Sequence, residues 1–65
     1  MLKIFKNSEG KELAINTNYV RTVMPSPFTD KNCLLYIEGN GNHIVVPYPF
    51  REFVKFINNE EEEMK

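Results

Sequence analysis

The segment that decides the fold is residues 33–46, which read CLLYIEGNGNHIVV. Two apolar runs, residues 33–37 and 43–46, flank the turn-forming run EGNGN. An Asn-Gly pair is a strong signal for a hairpin turn, because both residues tolerate positive φ. The segment therefore predicts a β-hairpin that turns at Asn40-Gly41.

A two-residue turn at Asn40-Gly41 also predicts which side chains share a face. Ile37 then lies opposite Ile44, and Leu35 lies opposite Val46. Opposite residues point to the same side of a sheet, which gives one face composed of Cys33, Leu35, Ile37, Ile44 and Val46. We expect that face to be core. A four-residue loop would keep these faces, whereas a three-residue loop would exchange them.

The other face of the same hairpin carries Leu34, Tyr36 and Val45, and is more apolar than a solvated face usually is. A hairpin that is apolar on both faces is normally covered on both. Two alternatives remain at this point: an earlier hairpin curls over the face to make a small barrel, or a second subunit covers it.

Two further aromatic residues fall outside the predicted core. Phe28 lies in a proline-rich loop, and Phe56 lies beside the edge of the helix stripe described below. Each could pack locally, or each could anchor a partner as buried aromatics do at interfaces. The candidate interface residues are Leu34, Tyr36, Val45, Phe28 and Phe56.

The segments before residue 33 predict further strands. Residues 2–5 and 11–15 flank the turn formers Asn7-Ser8-Glu9-Gly10, which predicts a first hairpin with Leu13 and Ile15 on one side. Residues 19–24 predict a third strand, which Pro25-Ser26-Pro27 ends because proline cannot donate to a ladder.

The C-terminal third predicts one helix. Phe50, Phe53, Val54 and Ile57 recur at helical spacing and form a single apolar stripe. Pro49 suits the first helical position, where its missing N–H needs no partner. The predicted fold is α+β: a small antiparallel sheet or partly open barrel of four to five strands with one C-terminal helix. Residues 1–59 form the single domain, and residues 60–65 form an acidic, disordered tail.

Composition favours self-association. A chain of 65 residues has a thin core, and short chains often recruit a disulfide, a metal or a second subunit. Cys33 is the only cysteine and His43 the only histidine, which argues against the first two. We therefore expect a homo-oligomer. Charged residues alternate with apolar ones at the N-terminus, and the sequence has no long apolar run. Both features predict a cytoplasmic chain without membrane insertion.

The residues that could carry chemistry do not form a site. Cys33 and His43 are the one possible nucleophile–base pair, and the register places them on opposite faces. Glu38 is expected opposite His43 as an ordinary cross-strand pair. We therefore predict no catalytic, cofactor or metal site and a non-enzymatic interaction protein with an unknown protein partner. The alternative is a small nucleic-acid-binding regulatory module in which Tyr19, Arg21 and Tyr36 stack on bases, although the eight basic residues are scattered and form no basic groove, which argues against nucleic acid.

The order of these features resembles the FlbD/SwrD-type small flagellar-associated proteins. The matching residues are Gly10-Lys11-Glu12, Asn16, Gly41, Val45-Val46, and Glu52 with Ile57. The resemblance covers nearly the whole chain, and its motifs are short and mostly structural. It implies a non-enzymatic accessory role and supplies no ligand site.

Overall fold

The computed structural model describes residues 1–64, which form five strands and one α-helix. The elements are β1 (Leu2–Lys6), β2 (Glu12–Asn16), β3 (Val20–Pro25), β4 (Cys33–Ile37), β5 (His43–Val46) and α1 (Phe50–Asn58), with a 3₁₀ turn at Thr17–Tyr19 before β3. The strands pair as two antiparallel sheets, β1–β2 and β3–β4–β5. The predicted α+β class is confirmed, and residues 1–64 do not close into a barrel.

The β1–β2 hairpin forms around Asn7. The Asn7 side-chain Oδ1 accepts hydrogen bonds from the backbone N–H groups of Glu9, at 2.9 Å, and Lys11, at 3.0 Å. Gly10 adopts φ of 82°, a conformation that glycine reaches without steric cost. The resulting register places Leu13 opposite Phe5 on one face, as the alternation of β2 predicts.

The turn between β4 and β5 lies two residues earlier than predicted. The backbone N–H of Asn40 donates to the Ile37 carbonyl at 3.1 Å, which centres the turn on Glu38-Gly39. Gly39 has φ of 81°, whereas Gly41 lies outside the positive range. A turn with positive φ at its third residue favours glycine there, so Gly39 competes successfully with the Asn40-Gly41 pair.

The strand register also differs from the prediction, and the last pair before the loop is Tyr36 with His43. Cys33 pairs with Val46 and Leu35 pairs with Ile44, so the predicted pairing of Leu35 with Val46 is wrong. Because side chains alternate with a period of two, a two-residue shift leaves every side chain on its predicted face. The faces are therefore confirmed although the pairs are not.

The core lies on the face of the three-stranded sheet that carries Cys33, Leu35 and Val46. The buried apolar residues are Phe5, Cys33, Leu35, Val46, Phe53 and Phe56. Phe5 of β1 packs in this same cluster, with its ring centroid 5.0 Å from that of Phe53. The first hairpin therefore lies on the core side of the sheet. The alternative in which it covers the opposite face is wrong.

Helix α1 begins at Phe50, and Pro49 is its N-cap rather than its first residue as predicted. The helix lies against β3 and buries Phe53 and Phe56, whereas Val54 is only half-buried. The buried face is thus rotated toward Phe56 relative to the predicted stripe, since both phenylalanine rings pack against Phe5. No helix within residues 1–64 has the length and apolar character to cross a bilayer.

The chain continues past α1 along the open edge of β1. Glu63 forms a parallel bridge with Ile4, whose N–H donates to the Glu62 carbonyl at 2.6 Å. The N–H of Met64 donates to the Ile4 carbonyl at 2.9 Å. Residues 62–64, which belong to the predicted acidic tail at 60–65, are thus hydrogen-bonded to β1. Lys65 lies outside the described residues.

Candidate functional site

The candidate site is the outer face of the β3–β4–β5 sheet, the side opposite the core. Its residues follow from the register and are Thr22, Met24, Leu34, Tyr36, His43 and Val45. Met24, Leu34 and Val45 pair in sequence across all three strands and form one continuous apolar row. Thr22, Tyr36 and His43 form the adjacent row. The structure thus brings together three of the predicted interface residues and adds Met24.

The outer face is intermediate in burial. Met24 is 42% exposed, and Leu34, Tyr36 and Val45 are half-buried. On the core side, by contrast, Cys33, Leu35 and Val46 are wholly buried. The outer face therefore retains apolar surface that water reaches, along the full width of the sheet.

Tyr36 is the centre of a small polar–aromatic group on this face. Its ring centroid lies 5.7 Å from that of His43, and the Arg21 guanidinium lies 5.7 Å from the Tyr36 centroid. His43 pairs with Tyr36, so the predicted cross-strand pair of Glu38 with His43 is wrong. The two-residue shift of register, which also moves Glu38 into the turn, accounts for the difference.

The two outlying phenylalanines have opposite environments. Phe28 is 93% exposed on the loop between β3 and β4, where its N–H donates to the Ser26 hydroxyl at 3.1 Å. Phe56 is 3% exposed and packs in the core with Phe5 and Phe53. Phe56 is therefore not part of an exposed surface, and the local packing alternative holds for it. Phe28 is exposed but does not belong to the sheet face.

The only cysteine lies on the core side. Burial raises the pKa of the Cys33 thiol to about 11, because an apolar environment disfavours the charged thiolate. His43 is on the outer face, three ladder positions away from the cysteine's own partner, Val46. Cys33 is thus neutral at ordinary pH and remote from a base.

Surface depressions around α1 are lined by both acidic and basic side chains. One cavity of about 430 Å³ lies between the β3–β4 loop and the start of α1, and its lining includes Asp30, Phe50 and Arg51. No group of three or more His, Cys, Asp or Glu side chains within residues 1–64 could hold a metal ion. The candidate site therefore remains the outer face of the β3–β4–β5 sheet.

Sequence reasoning missed two residues that matter here. Met24 joins the outer face only through the pairing of β3 with β4, and the seven-residue loop between those strands gives no signal for that register. Lys3 is fully buried, although its charge suggests an exposed position. The one signal for its burial is that residues 3 and 5 lie on the same face of a strand, so Lys3 shares a face with the apolar Phe5.

No protein-family model, curated protein or solved structure matches this chain.

Proposed function

We propose that this chain is a small non-enzymatic interaction module that self-associates by packing the outer faces of two three-stranded sheets. The observation that carries the proposal is the apolar row of Met24, Leu34 and Val45, which crosses all three strands. Aligned packing of two sheet faces is a common way to bury such a surface. The second copy would supply the apolar contacts that a chain of this size lacks.

The size of the face sets the expected strength of association. Three strands and five residues span about 14 by 17 Å. That area is small beside the roughly 800 Å² that each partner of a standard interface buries. We therefore expect a weak dimer whose population depends on concentration.

The test is the mass in solution of a tyrosine variant. Replacing Tyr36 with glutamate removes the aromatic ring from the outer face and adds a carboxylate, which a second sheet could cover only by stripping it of water. Light scattering over a range of concentrations should show the unmodified chain approaching twice 7.6 kDa and Tyr36→Glu remaining at 7.6 kDa. Circular dichroism should show that the variant is folded.

A matched control separates the site from the general effect of added charge. Tyr19 is 58% exposed and lies in the 3₁₀ turn rather than on the sheet face. Tyr19→Glu should therefore dimerise like the unmodified chain. Equal masses for all three proteins at every concentration would contradict the proposal.

A second candidate function rests on the group around Tyr36. An arginine over a tyrosine ring with a neighbouring histidine resembles the stacking platforms that bind single-stranded nucleic acid. The net charge of −1 disfavours this role, because phosphate contacts need a basic excess. Fluorescence anisotropy with a labelled oligonucleotide at two salt concentrations discriminates: salt-sensitive binding that Tyr36→Ala abolishes favours this candidate over the first.

An accessory role in the cytoplasm is part of the same proposal. The single free thiol suits a reducing compartment, and the resemblance to the FlbD/SwrD-type proteins implies a non-enzymatic role. The partner in such a role would be a protein that either uses or competes for the outer face.

A further inference from the structure

Lys3 is the one charged residue that the core fully buries within residues 1–64. Its ammonium Nζ donates to the Asn59 carbonyl at 2.6 Å and to the Glu61 carbonyl, and lies 3.4 Å from the Asn59 side-chain Oδ1. The same Nζ lies 5.0 Å from the centroid of the Phe56 ring. A buried ammonium is tolerated only when its protons have acceptors, and here the acceptors come from the segment after α1.

Two of these acceptors are main-chain carbonyls that lie at the end of α1 and just after it. Asn59 is the C-cap of α1, and its carbonyl is one that the helix leaves without an internal partner. Its side-chain Oδ1 also accepts from the Glu61 N–H at 2.9 Å, which fixes the corner where the chain leaves the helix. Lys3 therefore joins the end of the helix to the beginning of the segment that follows.

That segment lies on an edge of β1 that β2 does not use. Ile4 offers both its N–H and its carbonyl on this edge, and they bond to Glu62 and Met64. Met64 also packs against the core cluster. An uncovered strand edge of this kind is a template for pairing with another chain.

We infer that residues 59–64 are a strap over the open edge of β1, that Lys3 is the lock that holds the strap closed, and that opening it exposes β1 to edge pairing with β1 of a second copy. Apart from Lys3, the strap is held by the two backbone hydrogen bonds to Ile4 and by the contact of Met64 with the core. Glu60, Glu61, Glu62 and Glu63 are all exposed, and their adjacent like charges oppose a compact arrangement. When the strap opens, the edge of β1 presents to a second copy the same backbone groups that bond to the strap when it is closed.

The test of the lock is Lys3→Met in the full chain. Methionine matches the lysine side chain as far as Cε but lacks the Nζ ammonium group, so the carbonyls of Asn59 and Glu61 lose their buried donor. Amide hydrogen exchange should become about tenfold to hundredfold faster at Ile4 and Met64 relative to Leu35 in the central strand. Unchanged exchange, or equal acceleration at all three amides, would overturn the inference.

The matched control is Lys6→Met. Lys6 lies on the same strand but is exposed, so the identical substitution should leave exchange at Ile4 and Met64 as it is in the unmodified chain. The unmodified chain also supplies a measurement that requires no folded variant. Acylation of Lys3 by a water-soluble ester should be at least about ten times slower than that of Lys6, since burial withholds the amine. Equal rates would show that the strap does not close.

The test of edge pairing is made in a Val45→Lys background, which removes the sheet-face contact proposed above and so keeps the two associations apart. Adding Lys3→Met should raise the mass in light scattering, whereas adding Lys6→Met should not. A Lys3→Met chain whose strap exchanges rapidly but whose mass stays at 7.6 kDa would contradict the role of the strap as an edge guard.

Discussion

The two faces of the β3–β4–β5 sheet consist of neighbouring residues with different environments. Cys33, Leu35 and Val46 on the inner face are wholly buried, while Leu34 and Val45, one position away, are half-buried on the outer face. Both faces are apolar in sequence, so hydrophobicity does not determine which one becomes core. The difference arises from the partners, because Phe5, Phe53 and Phe56 all pack on the inner side.

The largest expected effect comes from the same substitution at two adjacent positions. Val46→Lys places an unpaired charge in the core, where its desolvation costs several kcal/mol and exceeds what a small domain can tolerate. The side chain at position 45 points to the outer face, so Val45→Lys should change the free energy of unfolding by about 1 kcal/mol or less. Circular dichroism should find the first chain unfolded and the second folded.

The opposite result would contradict the face assignment directly. A folded Val46→Lys chain beside an unfolded Val45→Lys chain would mean that the register of β5 is shifted by one residue.

A second prediction uses the thiol of Cys33 to probe the inner face. Burial raises its pKa from 9.0 to about 11, so above pH 9 the unfolded chain releases a proton that the folded chain retains. The free energy of unfolding should therefore fall as pH rises from 9 to 11, by roughly 2 kcal/mol from this group. Urea denaturation across that range measures the loss.

Cys33→Ala is the control for that pH dependence. The variant lacks the thiol, so its stability should decline less between pH 9 and 11 than that of the unmodified chain. Parallel declines would show that Cys33 is not in an apolar environment in solution.

The smallest expected effect concerns the turn between β4 and β5. Gly39 has φ of 81°, so Gly39→Ala should reduce stability by about 1 kcal/mol through backbone strain alone, as no atom lies within 4 Å of the added Cβ. Gly41 lacks positive φ and has equally open surroundings, so Gly41→Ala should be nearly neutral. Thermal unfolding of both variants makes the comparison, and the reverse order would place the turn at Asn40-Gly41.

The sequence predicts the two faces of the β4–β5 hairpin correctly, because the face of a side chain changes only when the register shifts by an odd number of residues, and the observed shift is two. It misplaces the turn because Glu38-Gly39 and Asn40-Gly41 are both good turn formers, and local propensity does not choose between them. The pairing that puts Met24 beside Leu34 spans a loop whose length sets no register.

The N-terminal strand shows a different limit. Its residues LKIFK place apolar side chains on both faces, so the pattern does not indicate which face is buried. The structure buries Lys3 and Phe5 and leaves Leu2 57% exposed. That choice depends on carbonyls at the end of α1, which are distant in sequence. Propensity alone therefore gives no sign that residues 62–64 are ordered.

The most direct test of the central claim is a nuclear Overhauser measurement between copies. Mixing ¹³C-labelled with unlabelled chains and selecting contacts between them should yield signals from the methyl groups of Leu34 and Val45 to Met24 and Tyr36 of the other copy. The contrary result is the absence of such signals at millimolar concentration, with a mass of 7.6 kDa. It would show that the outer face remains open to water.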